Sequence, residues 1–320
     1  MNDEFGEWAQ RKYGGLKPVS IVRGKIHQFL GMTLDFTKPG EVHVRQKEHV
    51  EDIISTWPEN LSDKKSLTPA SNDLFKKGHG RLLNDQERET FHSVVAKCIY
   101  IGNRSRPDIL PTISVLAGRV QKPNVDDWKK GRKLIRYLQG SIEEHLVLRY
   151  DGLAIANWYV DAAFAVHDDF KSQSGGILFF GKNGGGVTSG SVKQRLNTRS
   201  STEAELVGAD DFLAKILWTQ RFLGEQGIEM KRNVLYQDNK SAILLETKGR
   251  SSLGKRSRAI NIRFFAIKDS CEKGELEISY CPTEDMVADF YTKPLQGKKF
   301  RQFRKLILGD DTNGDEKERK

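Results

Sequence analysis

Four acidic residues stand where the hydrophobic pattern calls for apolar ones. Asp161 lies inside Trp158-Tyr159-Val160-Asp161-Ala162-Ala163. Glu205 shares a helical face with Ala209, Phe212 and Ile216. Asp238 closes the run Val234-Leu235-Tyr236-Gln237, and Asp289 sits within Met286-Val287-Ala288-Asp289-Phe290. A charge in such surroundings is costly unless it is paired or metal-bound. Any one of them alone reads as a helix cap or an ion pair. The neighbouring Glu203 has that ordinary explanation, because Ser200 and Glu203 match the S-x-x-E capping box. Four converging carboxylates repel one another unless cations lie between them. Hard divalent ions with oxygen ligands, Mg²⁺ or Mn²⁺, are the natural partners. Two such ions roughly 4 Å apart activate water and stabilise the leaving oxygen in phosphodiester hydrolysis.

The elements that must position these acids fall in the second half. The spacing predicts strands over 154–163, 176–180 and 187–192, then a long helix from Ser201 to about Gly224. A strand over 234–237, helices from Ser241 and Arg258, a strand over 276–280 and a last helix from Glu284 to Tyr291 follow. The order β-β-β-α-β-α-α-β-α indicates a mixed sheet with helices packed on it, an α/β (mixed α+β) class. It lets the first and fourth strands meet two helices. The first half reads differently. After a polar lead-in over 1–20, residues 29–36 and 42–45 form a hairpin, and helices are expected over 46–57, 91–101, from Arg106, and over 125–138. Residues 58–85, rich in polar residues and Gly, read as a long surface connection. The division expected is 1–148, 149–308 and a disordered tail over 309–320 of mixed charge.

The chain has 320 residues and a formal net charge of +9. Its 37% hydrophobic content is too high for a wholly disordered chain. No apolar run is long enough to span a bilayer, so no membrane partner is expected. The three cysteines are few and lack metal-ligand spacing, which excludes a disulfide scaffold and a zinc ribbon and suits a reducing compartment. The positive charge is concentrated. Lys248, Arg250, Lys255, Arg256, Arg258 and Arg263 form one run without an acid, and Lys293, Lys298, Lys299, Arg301, Arg304 and Lys305 form another. A single run of this kind is a solvated face. Two of them flanking the acids point to phosphate backbones.

At these residues the sequence resembles a known family. Asp161, Ser201-Thr202-Glu203-Ala204-Glu205, Asp238-Asn239-Lys240-Ser241-Ala242-Ile243 and Ala288-Asp289-Phe290-Tyr291-Thr292-Lys293-Pro294-Leu295 together resemble the ribonuclease H domain of copia-type LTR retrotransposon polyproteins. Upstream, Phe29-Leu30-Gly31-Met32, Ser105-Arg106-Pro107-Asp108 and Arg136-Tyr137-Leu138-Gln139-Gly140 are similar to segments that follow the polymerase catalytic loop in the same polyproteins. The resemblance covers about residues 20–306. It implies a late-palm, thumb or connection region over 1–148 and a ribonuclease H-like five-stranded sheet over 149–308. The polymerase motif Y-x-D-D is missing, and no nucleotide incorporation is expected. Three positions differ from the family pattern. Gly190 stands where the family has Trp, Leu206 where it has Tyr, and Ala259 where it has His, and no histidine follows His167. The missing histidine implies slow turnover with the metal site retained.

The function implied is cleavage of the RNA strand of RNA–DNA hybrids, with Asp161, Glu205, Asp238 and Asp289 holding two Mg²⁺ or Mn²⁺ ions. The two basic runs would hold phosphates, and contacts to 2′-hydroxyls would select RNA. Partners would include the remaining reverse transcriptase and integrase segments of the polyprotein. The setting would be cytoplasmic or nuclear, within a virus-like particle if the element is active. Two other readings fit the same residues: a non-catalytic nucleic-acid-binding remnant, and a structural partner of a reverse transcriptase.

Overall fold

The structure, a computed structural model, describes residues 2–15, 17–61, 65–149, 154–181, 184–248 and 258–309, with only the backbone of Asn2, Lys248 and 258–264 described. The tail expected over 309–320 lies, beyond Gly309, outside the described residues. The lead-in carries a helix, α1 (Asn2–Tyr13). Strands β1 (Ile26–Phe29), β2 (Met32–Asp35) and β3 (Glu41–Arg45) follow. The single strand expected over 29–36 is therefore broken. Leu30 and Gly31 turn the chain with φ of 47° and 66°, the two positive values that a tight hairpin turn requires. Gly31 adopts this freely. Leu30 does not, and its carbonyl accepts a hydrogen bond from the Tyr100 hydroxyl.

Helices α2 (Lys47–Thr56), α3 (Asp85–Gly102), α4 (Leu110–Ala117) and α5 (Val125–Gly140) build the next layer, and β4 (Leu146–Arg149) returns to pair antiparallel with β3. β4 was not anticipated by the spacing, because four residues carry too little periodicity. Helix α3 starts six residues before Phe91 because Asn84 and Glu87 form a capping box, and Asn124 and Asp127 do the same for α5.

Ser105-Arg106-Pro107-Asp108 does not simply start a helix. Pro107–Ile109 is a single 3₁₀ turn before α4. It places Arg106 (1% exposed) against Asp108 (0% exposed). The guanidinium donates to both carboxylate oxygens at 2.9 and 2.8 Å, and to the Ser141 carbonyl and hydroxyl at 2.8 Å each. The Tyr137 hydroxyl completes the node at 2.5 Å from Asp108. This one cluster ties α4 to the end of α5.

The second sheet comprises β5 (Ile155–Ala163), β6 (Gln173–Phe180), β7 (Thr188–Lys193), β8 (Arg232–Gln237) and β9 (Glu277–Tyr280) in the order β7-β6-β5-β8-β9. β5, β6 and β7 are antiparallel, and β5, β8 and β9 are parallel. Helices α6 (Ser201–Glu225), α7 (Lys240–Lys248) and α8 (Arg258–Glu272) connect them, and α9 (Asp289–Thr292) and α10 (Gly297–Leu308) close the chain. The class is the mixed α/β expected. The last predicted helix is much shorter than its apolar run. Residues 283–288 form successive turns with i to i+3 bonds such as Asp285 N–H to Pro282 and Asp289 N–H to Met286. Only Asp289–Thr292 is helical.

Side chains alternate across a strand, so β5 serves two layers. Ala156, Trp158 and Val160 pack with Ala209, Phe212 and Ile216 of α6 and Ile267 of α8. On the other side, Ile177, Phe290, Tyr291, Phe300, Phe303 and Ile307 join one continuous cluster with Val50, Phe91, Cys98, Ile113 and Leu138. The helical layer of the first half is thus packed onto the second sheet through α9 and α10.

Burial by itself would raise the Asp108 carboxyl, but the charge and hydrogen bonds of Arg106, helped by Tyr137, outweigh it and hold it below its ordinary value. A depressed carboxyl stabilises the fold above its unfolded value and loses that contribution as pH falls through the folded one. Asp108→Ala strands a buried guanidinium and should cost about 3–5 kcal/mol. Urea titrations of both proteins check this. The gap between them should shrink only under strongly acidic conditions.

Candidate metal centre at the end of the central strand

Asp161 sits on the sheet's central strand, paired with Gly175 of β6, and is 2% exposed. By alternation it shares the face of Tyr159, where α9 lies. Gly175 lets α9 come that close. A Cβ added there would meet Thr292 Cγ2 and Tyr291 Cβ at 2.7 Å. The hydroxyl of Thr292 donates to Asp161 Oδ2. Glu205 arrives from α6 on the opposite layer and is 5% exposed. Asp238 follows the last residue of β8 and is half-buried, and its Oδ2 accepts from the Thr283 hydroxyl at 3.0 Å.

Asp161, Glu205 and Asp238 each offer a carboxylate oxygen, and these oxygens lie within 4.8 Å of one another. Three carboxylate oxygens this close together could jointly hold Mg²⁺ or Mn²⁺, hard ions that take oxygen ligands. A second observation supports the fit: buried Glu205 Oε2 has no hydrogen-bond partner. An all-oxygen, all-carboxylate donor set selects a hard cation.

Asp289 reaches the cluster from the far side and is 2% exposed. Its two oxygens are engaged by lysines, Oδ1 by Lys293 and Oδ2 by Lys299 at 2.7 Å. Lys293 also lies 3.7 Å from Asp161 Oδ2. The structure therefore gathers three of the four anticipated acids around one point and places the fourth on a pair of ammonium groups. Of the anticipated phosphate-binding residues, Lys293 and Lys299 face these acids, and Lys298 is exposed on α10 beside Arg301. Arg250, Lys255 and Arg256 lie outside the described residues, and the side chains of Lys248, Arg258 and Arg263 are not described. Glu203 caps only in part. Ser200 Oγ accepts from the Glu203 N–H at 3.2 Å, but the Glu203 carboxylate takes the Arg199 N–H at 2.7 Å. Thr283, Thr292 and Gly175 were missed as parts of the site. Thr292 lies inside the motif run that ends in Lys293-Pro294-Leu295, and nothing in the spacing marks the other two. At Gly190, an added Cβ would meet the Phe212 ring at 3.2 Å, so this phenylalanine fills the space over β7.

The electrostatics are those of carboxylates buried close together beside one ammonium group. Burial raises the Asp161 carboxyl to about 6; Lys293 lowers it, and Asp289 and Asp238 push it up. Glu205 is held well above its ordinary value by burial first and then by Asp161 and Asp238. Raised carboxyls take up protons near neutrality, and a cation must expel them.

The strand order, the two antiparallel and two parallel pairings, and the long helix after the third strand define a five-stranded mixed sheet with helices packed on it. No protein-family model matches the chain. Its relatives include retrovirus-related Pol polyproteins of transposons. The polyprotein of transposon TNT 1-94 from Nicotiana tabacum is 26% identical over 296 residues, covering 89% of this chain and 22% of that protein. Those of transposons RE2 and RE1 from Arabidopsis thaliana are each 27% identical, covering 88% of this chain and 19% of their own lengths. The chain thus spans about a fifth of the length of these relatives. Among solved structures, an RNase H1 isolated from compost by a metagenomic approach aligns at TM-score 0.33 and 14% identity, over 43% of this chain and 92% of that one. RNase H1 of Halobacterium salinarum NRC-1 aligns at 0.29 and 13%, over 43% and 91%.

Two outcomes follow from the site. Mn²⁺ binding should release protons, and its affinity should rise as pH rises through about 6. Calorimetry in buffers of different ionisation heat measures both, and an affinity independent of pH would contradict the assignment. Glu205→Gln removes a buried, repelled carboxylate and should raise stability in chelator by about 1 kcal/mol, or about 1–2 °C for a chain of this length. The same variant should abolish the further stabilisation by Mn²⁺ that the parent shows in thermal melts.

Proposed function

We propose that this chain hydrolyses the RNA strand of RNA–DNA hybrids. The observation that carries this reading is the triad of buried Asp161 and Glu205 with half-buried Asp238, and its orphaned Glu205 oxygen, at the end of the central strand of a ribonuclease H-like sheet. These three carboxylates, joined by Asp289, would hold two Mg²⁺ or Mn²⁺ ions. When bound, such ions polarise the phosphodiester and acidify the attacking water. Thr292 orients Asp161, and Thr283 orients Asp238. No side chain is needed as nucleophile. The exposed basic face of α10, with Lys298 and Arg301, is suited to phosphates, and 2′-hydroxyl contacts would select the RNA strand.

The first-half layer, residues 1–148, acts in this reading as a connection region supporting residues 149–308, without a polymerase centre of its own. Partners would be the hybrid and the other reverse transcriptase and integrase segments of a longer polyprotein. The setting would be the cytoplasm, the nucleus or a virus-like particle, in keeping with transposon-derived relatives. Among the described residues no helix is long and apolar enough to cross a membrane.

The test is cleavage of an end-labelled RNA annealed to DNA. Cutting is expected with millimolar Mg²⁺ or Mn²⁺ and not in chelator. Asp161→Asn and Asp238→Asn should reduce it to background, and a DNA duplex should stay intact. Hybrid left uncut by the parent chain under all these conditions would refute the proposal. Separately, Lys298→Gln with Arg301→Gln should weaken hybrid binding and lower the slope of log K against log salt by roughly 0.9 for each phosphate that is no longer neutralised. Filter binding across a salt series measures it, and an unchanged slope would make this a solvated face.

A further inference from the structure

Lys293 occupies an unusual position for a basic residue in a cation-binding cluster. It is one residue beyond the short helix α9, so its backbone is anchored against the sheet at Gly175. Its ammonium engages Asp289 Oδ1 and lies 3.7 Å from Asp161 Oδ2. Thr292, its neighbour, covers that same Asp161 oxygen. Lys299, one turn into α10, covers the remaining Asp289 oxygen at 2.7 Å. The acids thus divide into two sets. Asp161, Glu205 and Asp238 face one another with a buried oxygen unpartnered. The Asp161–Asp289 side already holds positive charge.

We infer that Lys293 is a resident cation, seated between Asp161 and Asp289, and that it competes with the second divalent ion for that position. The inference rests on the reading of the acids as a metal centre. An ammonium and a divalent ion held on the same pair of carboxylates repel each other at these separations, so each weakens the binding of the other. The first ion enters the triad without displacing any group. The second binds only after Lys293 swings away from Asp289. Lys293 is therefore a positioning residue: it sets how many ions the free chain carries. A phosphate entering the site offers its ammonium another anion and would free the second position, linking ion occupancy to substrate.

The experiment counts Mn²⁺ bound to the full chain, with the ion alone as probe, by electron paramagnetic resonance and calorimetry. The parent chain should bind one ion tightly, and a second at least about 10-fold more weakly, the size of one charge-assisted hydrogen bond. Lys293→Met should strengthen the second site by about 10-fold or more, with a much smaller change at the first. Lys293→Arg keeps the charge and should restore the parent pattern. Lys298→Met removes the same charge from the neighbouring helix without touching an acid, and should alter neither site. Two equal sites in the parent, or a second site unchanged in Lys293→Met, would overturn the inference and leave the metal centre standing. No ion bound by the parent or any variant would instead overturn the metal centre and the function built on it.

Discussion

A carboxylate in the middle of a buried strand is the constraint on which the rest depends. Asp161 cannot be solvated, and its neighbours in the sheet are backbone and apolar side chains. Every polar group that reaches it must be delivered by another element. Thr292 comes from the turn after β9, Lys293 from the residue beyond it, Glu205 from the helix on the opposite layer and Asp238 from the end of the adjacent parallel strand. The sheet order places β8 next to β5, and this adjacency makes the triad possible. Gly175 then decides how near the α9 turn can come. The site is a meeting of strand ends and helix starts, a place where backbone direction is set by the sheet and side chains are free to converge.

The same turn binds the two halves of the chain. Phe290 and Tyr291 directly follow the acid Asp289 in sequence, yet they point into the cluster that includes Phe91, Ile113 and Leu138. Phe300 and Phe303 of α10 extend it. Packing of the helical layer and placement of Asp289 are therefore coupled through four consecutive residues, 289–292. The Arg106–Asp108 node stands behind this layer and holds α4 and α5 in register. A buried ion pair with a partner on each guanidinium nitrogen and each carboxylate oxygen adds orientation where apolar contacts alone would allow sliding.

The acids were legible in the sequence because they break an apolar pattern. Asp161 interrupts a strand and Glu205 interrupts the buried stripe of α6, and both are buried as that pattern implies. The alternation of elements indicated the class of the second sheet and the order of its elements along the chain. Less legible were features that depend on a few residues or on distant partners. The turn at Leu30–Gly31 was hidden within an apparently continuous strand. β4 is too short to show a period, and its strand character comes from pairing with β3, a hundred residues away. The run before Asp289 looks helical by composition, yet its bonds close at i to i+3 and it stays a series of turns.

What the sequence by itself determined is the set of local choices. Hydrophobic spacing set which segments are strands and helices, the capping residues Asn84, Asn124 and Ser200 set where three helices start, and acids in apolar company marked the chemistry. These follow from neighbours within a few positions, where backbone propensity and periodicity act. Only the tertiary structure decided how the acids are shared. It brought Asp161, Glu205 and Asp238 to within 4.8 Å of one another and gave Asp289 to Lys293 and Lys299. It also set two residues of a basic run, Lys293 and Lys299, against the acid cluster. Residue type fixes a charge, but burial and distance fix which opposite charge it meets, and those are properties of the packed chain alone.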